Sequence, residues 1–106
     1  MHATIRRYDS VDQKGTDELK RKINETLIPK LSQLPGFNGY YVIESGNDVF
    51  TSFSLFGTPA QADESGRVAA TWVRDEQLEL TLPNPPKVTG GEVIAHKTNR
   101  MVRAAA

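Results

Sequence analysis

Apolar residues occupy both parities of the segment 37–56, and this pattern says more about the chain than any other. Two runs, Tyr40 to Ser45 and Val49 to Phe56, flank Ser45-Gly46-Asn47-Asp48. Gly, Asn and Asp tolerate the positive φ angles of tight turns, so the segment predicts a β-hairpin. Tyr40 and Val42 share one parity of the first run, Tyr41 and Ile43 the other. Val49, Phe53 and Leu55 share one parity of the second, Phe50 and Phe56 the other. Side chains alternate faces along a strand, so a sheet with one wet face should show one polar parity. Here both faces are expected to be covered.

Leu19, Ile23, Leu27, Leu31 and Leu34 recur at helical spacing and predict an amphipathic helix opening at Thr16 as N-cap. Pro29 falls within that stripe and should kink the helix or split off its last turn. Pro35-Gly36 ends it. A second helix is predicted from Pro59 to about Leu78, with Thr58 as N-cap and Pro59 at the first helical position. Its apolar face is thin: Ala62, Ala69, Trp72, Val73. Gly66 either weakens its middle or permits a close approach of another backbone. Ala3 to Tyr8 reads as a first strand and the stretch 9–15 as a polar loop. Leu80-Thr81-Leu82 is ambiguous between helix end and extended piece, and Pro83-Asn84-Pro85-Pro86 reads as a rigid loop. The last strand is placed at Glu92–Lys97, with a start as early as Val88 and a bend at Gly90-Gly91.

The order strand, helix, strand, strand, helix, strand predicts a ferredoxin-like α+β domain. Right-handed crossovers put both helices on one face of a four-stranded antiparallel sheet. The other face is then bare, and it carries more aromatic and branched surface than monomers usually expose. A homodimer joined through the sheet faces would cover it. The alternative is a cover made by the Leu78 to Pro86 segment folding back. One domain over 1–99 and a frayed tail over 100–106 complete the expectation.

Composition narrows the function. Thirteen basic and thirteen acidic residues cancel in a chain of 106. That balance lacks the basic field expected of nucleic-acid or anionic-membrane binders. RNA-recognition modules share this element order, but Asp48-Val49-Phe50-Thr51-Ser52-Phe53 lacks their basic and glycine–aromatic signature. With no cysteine, thiolate chemistry is excluded. Apolar stretches of signal or membrane-spanning length are absent, so a soluble, cytoplasmic protein is expected. Phosphate-loop, flavin, nicotinamide and metal fingerprints are absent too, so no cofactor is expected.

The chain resembles the dimeric α+β barrels, in particular the branch of antibiotic biosynthesis monooxygenases. The resemblance rests on Leu34-Pro35-Gly36-Phe37 followed by Gly39-Tyr40-Tyr41, the hairpin, a second helix with Trp72 near its end, and Gly91-Glu92-Val93. It runs from about Ala3 to Lys97. It implies a homodimer with a small pocket in each subunit. It also implies cofactor-independent oxygenation of an aromatic or quinol-like molecule, or haem degradation as in related proteins. Many proteins of this type have no assigned reaction, and a non-catalytic ligand-binding or assembly module is the alternative. The catalytic candidates are Trp72, His96 and Arg7; the ligand-binding candidates are Tyr40, Tyr41 and Phe53, with Arg6 and Tyr8 beside them. The expected pattern is incomplete. Val68 stands where an asparagine partner of Trp72 is expected, no histidine follows Trp72 on its helix, and Arg6-Arg7 replace a first-strand asparagine. A space-filling anchor is therefore the preferred reading of Trp72. A strand-end surface position is preferred for His96.

Overall fold

The computed structural model describes residues 1–98. The expected tail, 100–106, and the last residue of the expected 1–99 domain lie outside the described residues. Strands β1 (His2–Tyr8), β2 (Phe37–Glu44), β3 (Phe50–Phe56) and β4 (Lys87–Glu92) form one antiparallel sheet in the order β2-β3-β1-β4. The connections run through α1 (Thr16–Lys22), a widened π-type turn (Ile23–Leu27), α2 (Ile28–Ser32) and α3 (Pro59–Asp75). This is the ferredoxin-like plan, with the helices on one sheet face.

Local chemistry sets most boundaries. Thr58 caps α3 through a reciprocal pair: its hydroxyl accepts from the Gln61 N–H, and the Gln61 side chain accepts from the Thr58 N–H. Pro59 occupies the first turn as predicted. Gly46, Asn47 and Asp48 take φ of 83°, 52° and 62° in the hairpin turn. The widened turn explains how Pro29 is tolerated. Proline has no N–H for the carbonyl four residues back and its ring crowds it. Just upstream, the Ile28 N–H reaches the Ile23 carbonyl in a longer loop, which opens the backbone there. Leu19, Ile23, Leu27 and Leu31 stay on one buried stripe across this irregularity.

Four expectations are corrected. Thr16 is already helical, and the entry is capped earlier: the Asp12 carboxylate accepts from the Lys14 N–H at 3.0 Å. The 9–15 loop is not wholly polar in role, because Val11 is buried in the core beside Leu19 and Leu78. α3 stops at Asp75 rather than near Leu78. Gln77 turns left-handed at φ 58°, and the Leu78 N–H reaches back to the Val73 carbonyl at 2.9 Å while its side chain enters the core. The last strand is Lys87–Glu92, not Glu92–Lys97. Its ladder with β1 runs from Arg7↔Lys87 to His2↔Glu92, one further bond joins the Val93 N–H to the Met1 carbonyl at 2.8 Å, and residues 94–97 are not strand.

Strand pairing fixes which side chains share a face. Tyr40, Ser54 and Thr4 lie in one cross-strand row under the helices, and Val42, Ser52 and Arg6 in the next. Burial along β3 alternates strictly, with Phe50, Ser52, Ser54 and Phe56 inward. Tyr41, Phe53 and Ile5 form the central row of the opposite face, with Leu55 and Ala3 beside it. Tyr41 is 62% and Ile43 47% exposed there. The Leu78–Pro86 segment does not fold over this outer face, since Leu82 and the prolines lie with Arg6 and Tyr8 on the helical side.

Candidate functional site

The inner face of the sheet is partly polar. β1 contributes Thr4, Arg6 and Tyr8, and β3 contributes Ser52 and Ser54. The facing side of α3 carries small residues, Ala62, Ser65, Gly66 and Ala69, before Trp72 and Val73. Small residues on both layers, Ser52 and Ser54 on the sheet and Ser65, Gly66 and Ala69 on the helix, leave space between them. An open cleft of about 670 Å³ results, with Arg6 and Tyr8 on one wall, Gly66 and Ala69 on another, and Pro83 to Pro86 on the third. A second, small chamber of about 40 Å³ lies among Tyr40, Ser52, Ser54, Ser65 and Trp72. Both spaces share Arg6, Tyr8, Ala69, Val73 and Leu82 as lining. The cleft is within the size range of small-molecule sites, whereas the chamber suits about one water.

The polar groups of the chamber are largely satisfied within the fold. The Ser65 hydroxyl donates to the Ala62 carbonyl at 2.6 Å, and Ser54 donates to the Thr4 carbonyl at 3.4 Å. Trp72 is buried, and its indole Nε1 donates to Thr26 Oγ1 at 2.7 Å. Thr26 in turn donates to the Lys22 carbonyl at 2.7 Å. The indole is thus tethered to the widened turn of the other helical arm and does not line the cleft.

Burial pushes the Tyr40 phenol up to about 12; Tyr8 adds to this, while Ser52 and Arg6 pull the other way. Burial also raises Tyr8, with Arg6 opposing. Both phenols are therefore neutral at pH 7, fit to donate or accept hydrogen bonds rather than to act as bases. This has a measurable consequence. A tyrosine in the unfolded chain titrates near 10, so above that pH the unfolded state loses its proton first. Tyr40's contribution is complete below pH ~10 and is lost between about 10 and 12, by about 3 kcal/mol at most. Urea midpoints should fall over that interval, and the fall should be smaller in Tyr40→Phe. An identical alkaline fall in the variant would clear Tyr40.

The expected site residues divide. Trp72 and Tyr40 border the chamber. Tyr41 and Phe53 lie on the opposite sheet face with Ile5, away from the cleft. Arg7 is on that outer face too, exposed and 3.3 Å from Asp9. His96 is exposed beyond β4 and lines neither space. It lies outside the sheet because the strand ends earlier than its apolar residues suggest. Arg6 takes the place expected of Arg7. Adjacent arginines hide the parity of β1, and only its pairing with Ser52 reveals which one faces inward. The proline wall reads from sequence as a loop, with no sign that it borders a site. Among the described residues, no group of three or more His, Asp or Glu could hold a metal ion, and no helix is long and apolar enough to cross a membrane.

No protein-family model matches the chain, and no curated protein matches it significantly. Solved structures do. A monooxygenase from the ActVA-Orf6 gene of Streptomyces coelicolor, in complex with the ligand nanaomycin D, superposes with a TM-score of 0.70 at 13% identity, covering 92% of this chain and 91% of that one. An antibiotic biosynthesis monooxygenase gives a TM-score of 0.69 at 14% identity, covering 90% and 100%. A protein of unknown function from Nitrosomonas europaea, NE2512, gives 0.69 at 18% identity, covering 92% and 93%. At such identities the likeness is one of architecture: the chain has the fold of the antibiotic biosynthesis monooxygenase-like α+β barrel proteins.

Proposed function

We propose that the cleft between the inner sheet face and α3 binds an aromatic, quinol-like small molecule, and that the protein acts on it as a cofactor-independent monooxygenase. The cleft itself carries this reading. It brings a guanidinium (Arg6) and a neutral phenol (Tyr8) to a space walled by small and proline residues. An electron-rich phenol that reduces oxygen directly passes its electrons to O2, one oxygen atom entering the ring and the other leaving as water. Its hydroxyl proton is lost to water in the open cleft, which leaves negative charge on the ring oxygen. Arg6 is suited to stabilise that charge, and Tyr8 to hydrogen-bond the same oxygen. The liganded monooxygenase of the same fold supports the choice of substrate class.

The assembly belongs to the same reading. The outer face, with Tyr41, Phe53, Ile5 and Leu55, fits a second copy of the chain packed sheet to sheet.

Thermal shift with quinols, polyphenols and haem, followed by oxygen-consumption assays on any hit, tests the function. A quinol or polyphenol should raise the melting temperature by mass action and drive oxygen uptake. No shift with any of these classes would remove the proposal.

A non-catalytic binding module is the second reading, and two observations favour it. The Trp72 N–H is engaged by Thr26, and burial keeps the phenols of Tyr8 at the cleft and Tyr40 at the chamber protonated. Ligand-induced stabilisation without oxygen uptake would select it.

A further inference from the structure

We propose that Arg6 is an anion-recognition residue, and that the ligand of the cleft is a flat aromatic acid whose carboxylate docks on its guanidinium. This deepens the reading of the cleft as a small-molecule site and rests on it.

Arg6 differs from the other described arginines. Arg7, Arg21 and Arg67 each pair with a carboxylate, at 3.3 Å to Asp9, 2.8 Å to Glu25 and 2.7 Å to Glu64. Arg74 is exposed. Arg6 is half-buried and, among the described residues, has no acidic side chain within ion-pair distance. Taking a guanidinium partly out of water without a partner is unfavourable, so a fold that keeps one there leaves it able to gain from an incoming anion. Three other charged side chains stand at the cleft: Asp63 and Glu79, both exposed, and Arg67, already tied to Glu64.

The helix makes room for this group at its own expense. Gly66 lies inside α3, where glycine is less favourable than alanine by about 1 kcal/mol. A Cβ at position 66 would come within 2.5 Å of Arg6 Nη2. The missing methyl is what lets the guanidinium lie against the helix and face the cleft. Around it, Ala69, Ala70, Pro83, Pro85 and Pro86 offer flat, rigid apolar surface. Apolar walls with one fork-shaped cation match a ring system bearing a carboxylate, because the guanidinium presents two parallel donors to two oxygens.

The test compares 2-naphthoate with its neutral isostere 2-naphthamide, by calorimetry and amide-resolved NMR, on the full chain and on Arg6→Gln and Gly66→Ala. Wild-type protein should bind the carboxylate about ten- to a hundredfold tighter than the amide. Arg6→Gln should erase that preference, the carboxylate losing about ten- to a hundredfold more affinity than the amide. Gly66→Ala should fold at least as stably as wild type yet lose most of the preference, because the new methyl displaces the guanidinium. Equal binding of both probes to wild type would overturn anion recognition and leave the cleft standing as a neutral-ligand site. A preference that survives Arg6→Gln would overturn it too, since the anion would then be held elsewhere. Binding of neither probe, with the quinols of the thermal-shift screen also silent, would remove the cleft and this inference together.

Discussion

The Phe53→Glu substitution is expected to convert a dimer into a folded monomer, a larger shift in equilibrium than any change in the cleft should produce. Phe53 sits in the middle of the outer sheet face, between Tyr41 on β2 and Ile5 on β1. Burying a side chain of this kind stabilises by about 1.5–3 kcal/mol, and several per protomer would be buried if two sheets pack face to face. In a two-fold interface each residue occurs twice, so the substitution would place two carboxylates in the dry centre. Each costs several kcal/mol even after relaxation. The dissociation constant should therefore rise by more than about a thousandfold. Within the protomer the cost is small, because position 53 is only partly covered by its own chain. Light scattering at micromolar concentration should report a dimer for wild type and a monomer with unchanged secondary structure for the variant. A wild-type monomer, or a variant that stays dimeric, would dismiss the sheet-to-sheet assembly.

The second large effect concerns folding. Trp72→Ala should destabilise the protein by about 3–5 kcal/mol, which is a substantial part of the roughly 5–15 kcal/mol typical of a whole domain. Trp72 is buried among Leu27, Leu31 and Val73, and few smaller side chains nearby could close the void. Its hydrogen bond separates an anchoring role from a chemical one. Thr26→Val keeps the shape but strands the indole N–H, at a cost of about 1–3 kcal/mol. If Trp72 serves as an anchor, Trp72→Phe should lose stability in denaturant yet still give the ligand-induced thermal shift. Loss of turnover with the shift intact would instead return Trp72 to the catalytic set.

The element order, the hairpin turn, the α3 cap and the helical stripe are legible in the sequence because each depends on neighbours along the chain. Thr58-Pro59 and Gly46-Asn47-Asp48 carry their backbone preferences with them wherever they occur. The misplacements arise where distant partners decide. Val93, Ile94 and Ala95 look like strand, yet the ladder with β1 closes at Glu92 with one last bond from Val93 to Met1, and His96 stays outside the sheet. Arg6 and Arg7 are indistinguishable until β1 is set against β3. The same register sends Tyr40 under the helices and Tyr41 to the outside. The cleft is the least visible feature, because it is defined by side chains that are small or absent, a glycine and two alanines on α3. Gly66 reads from sequence as a weak point in the helix or a place for another backbone to approach; what approaches it is a side chain, the Arg6 guanidinium.

The central position of β1 has one further consequence. Its hydrogen-bonding neighbours are residues 50–56 and 87–92, so its sheet pairings must wait for segments synthesised much later. Sequence-distant pairing of this kind slows folding relative to helical bundles. A nascent chain would carry the helical arm and the hairpin before it could close the sheet around Arg6, and the cleft would be the last feature to mature.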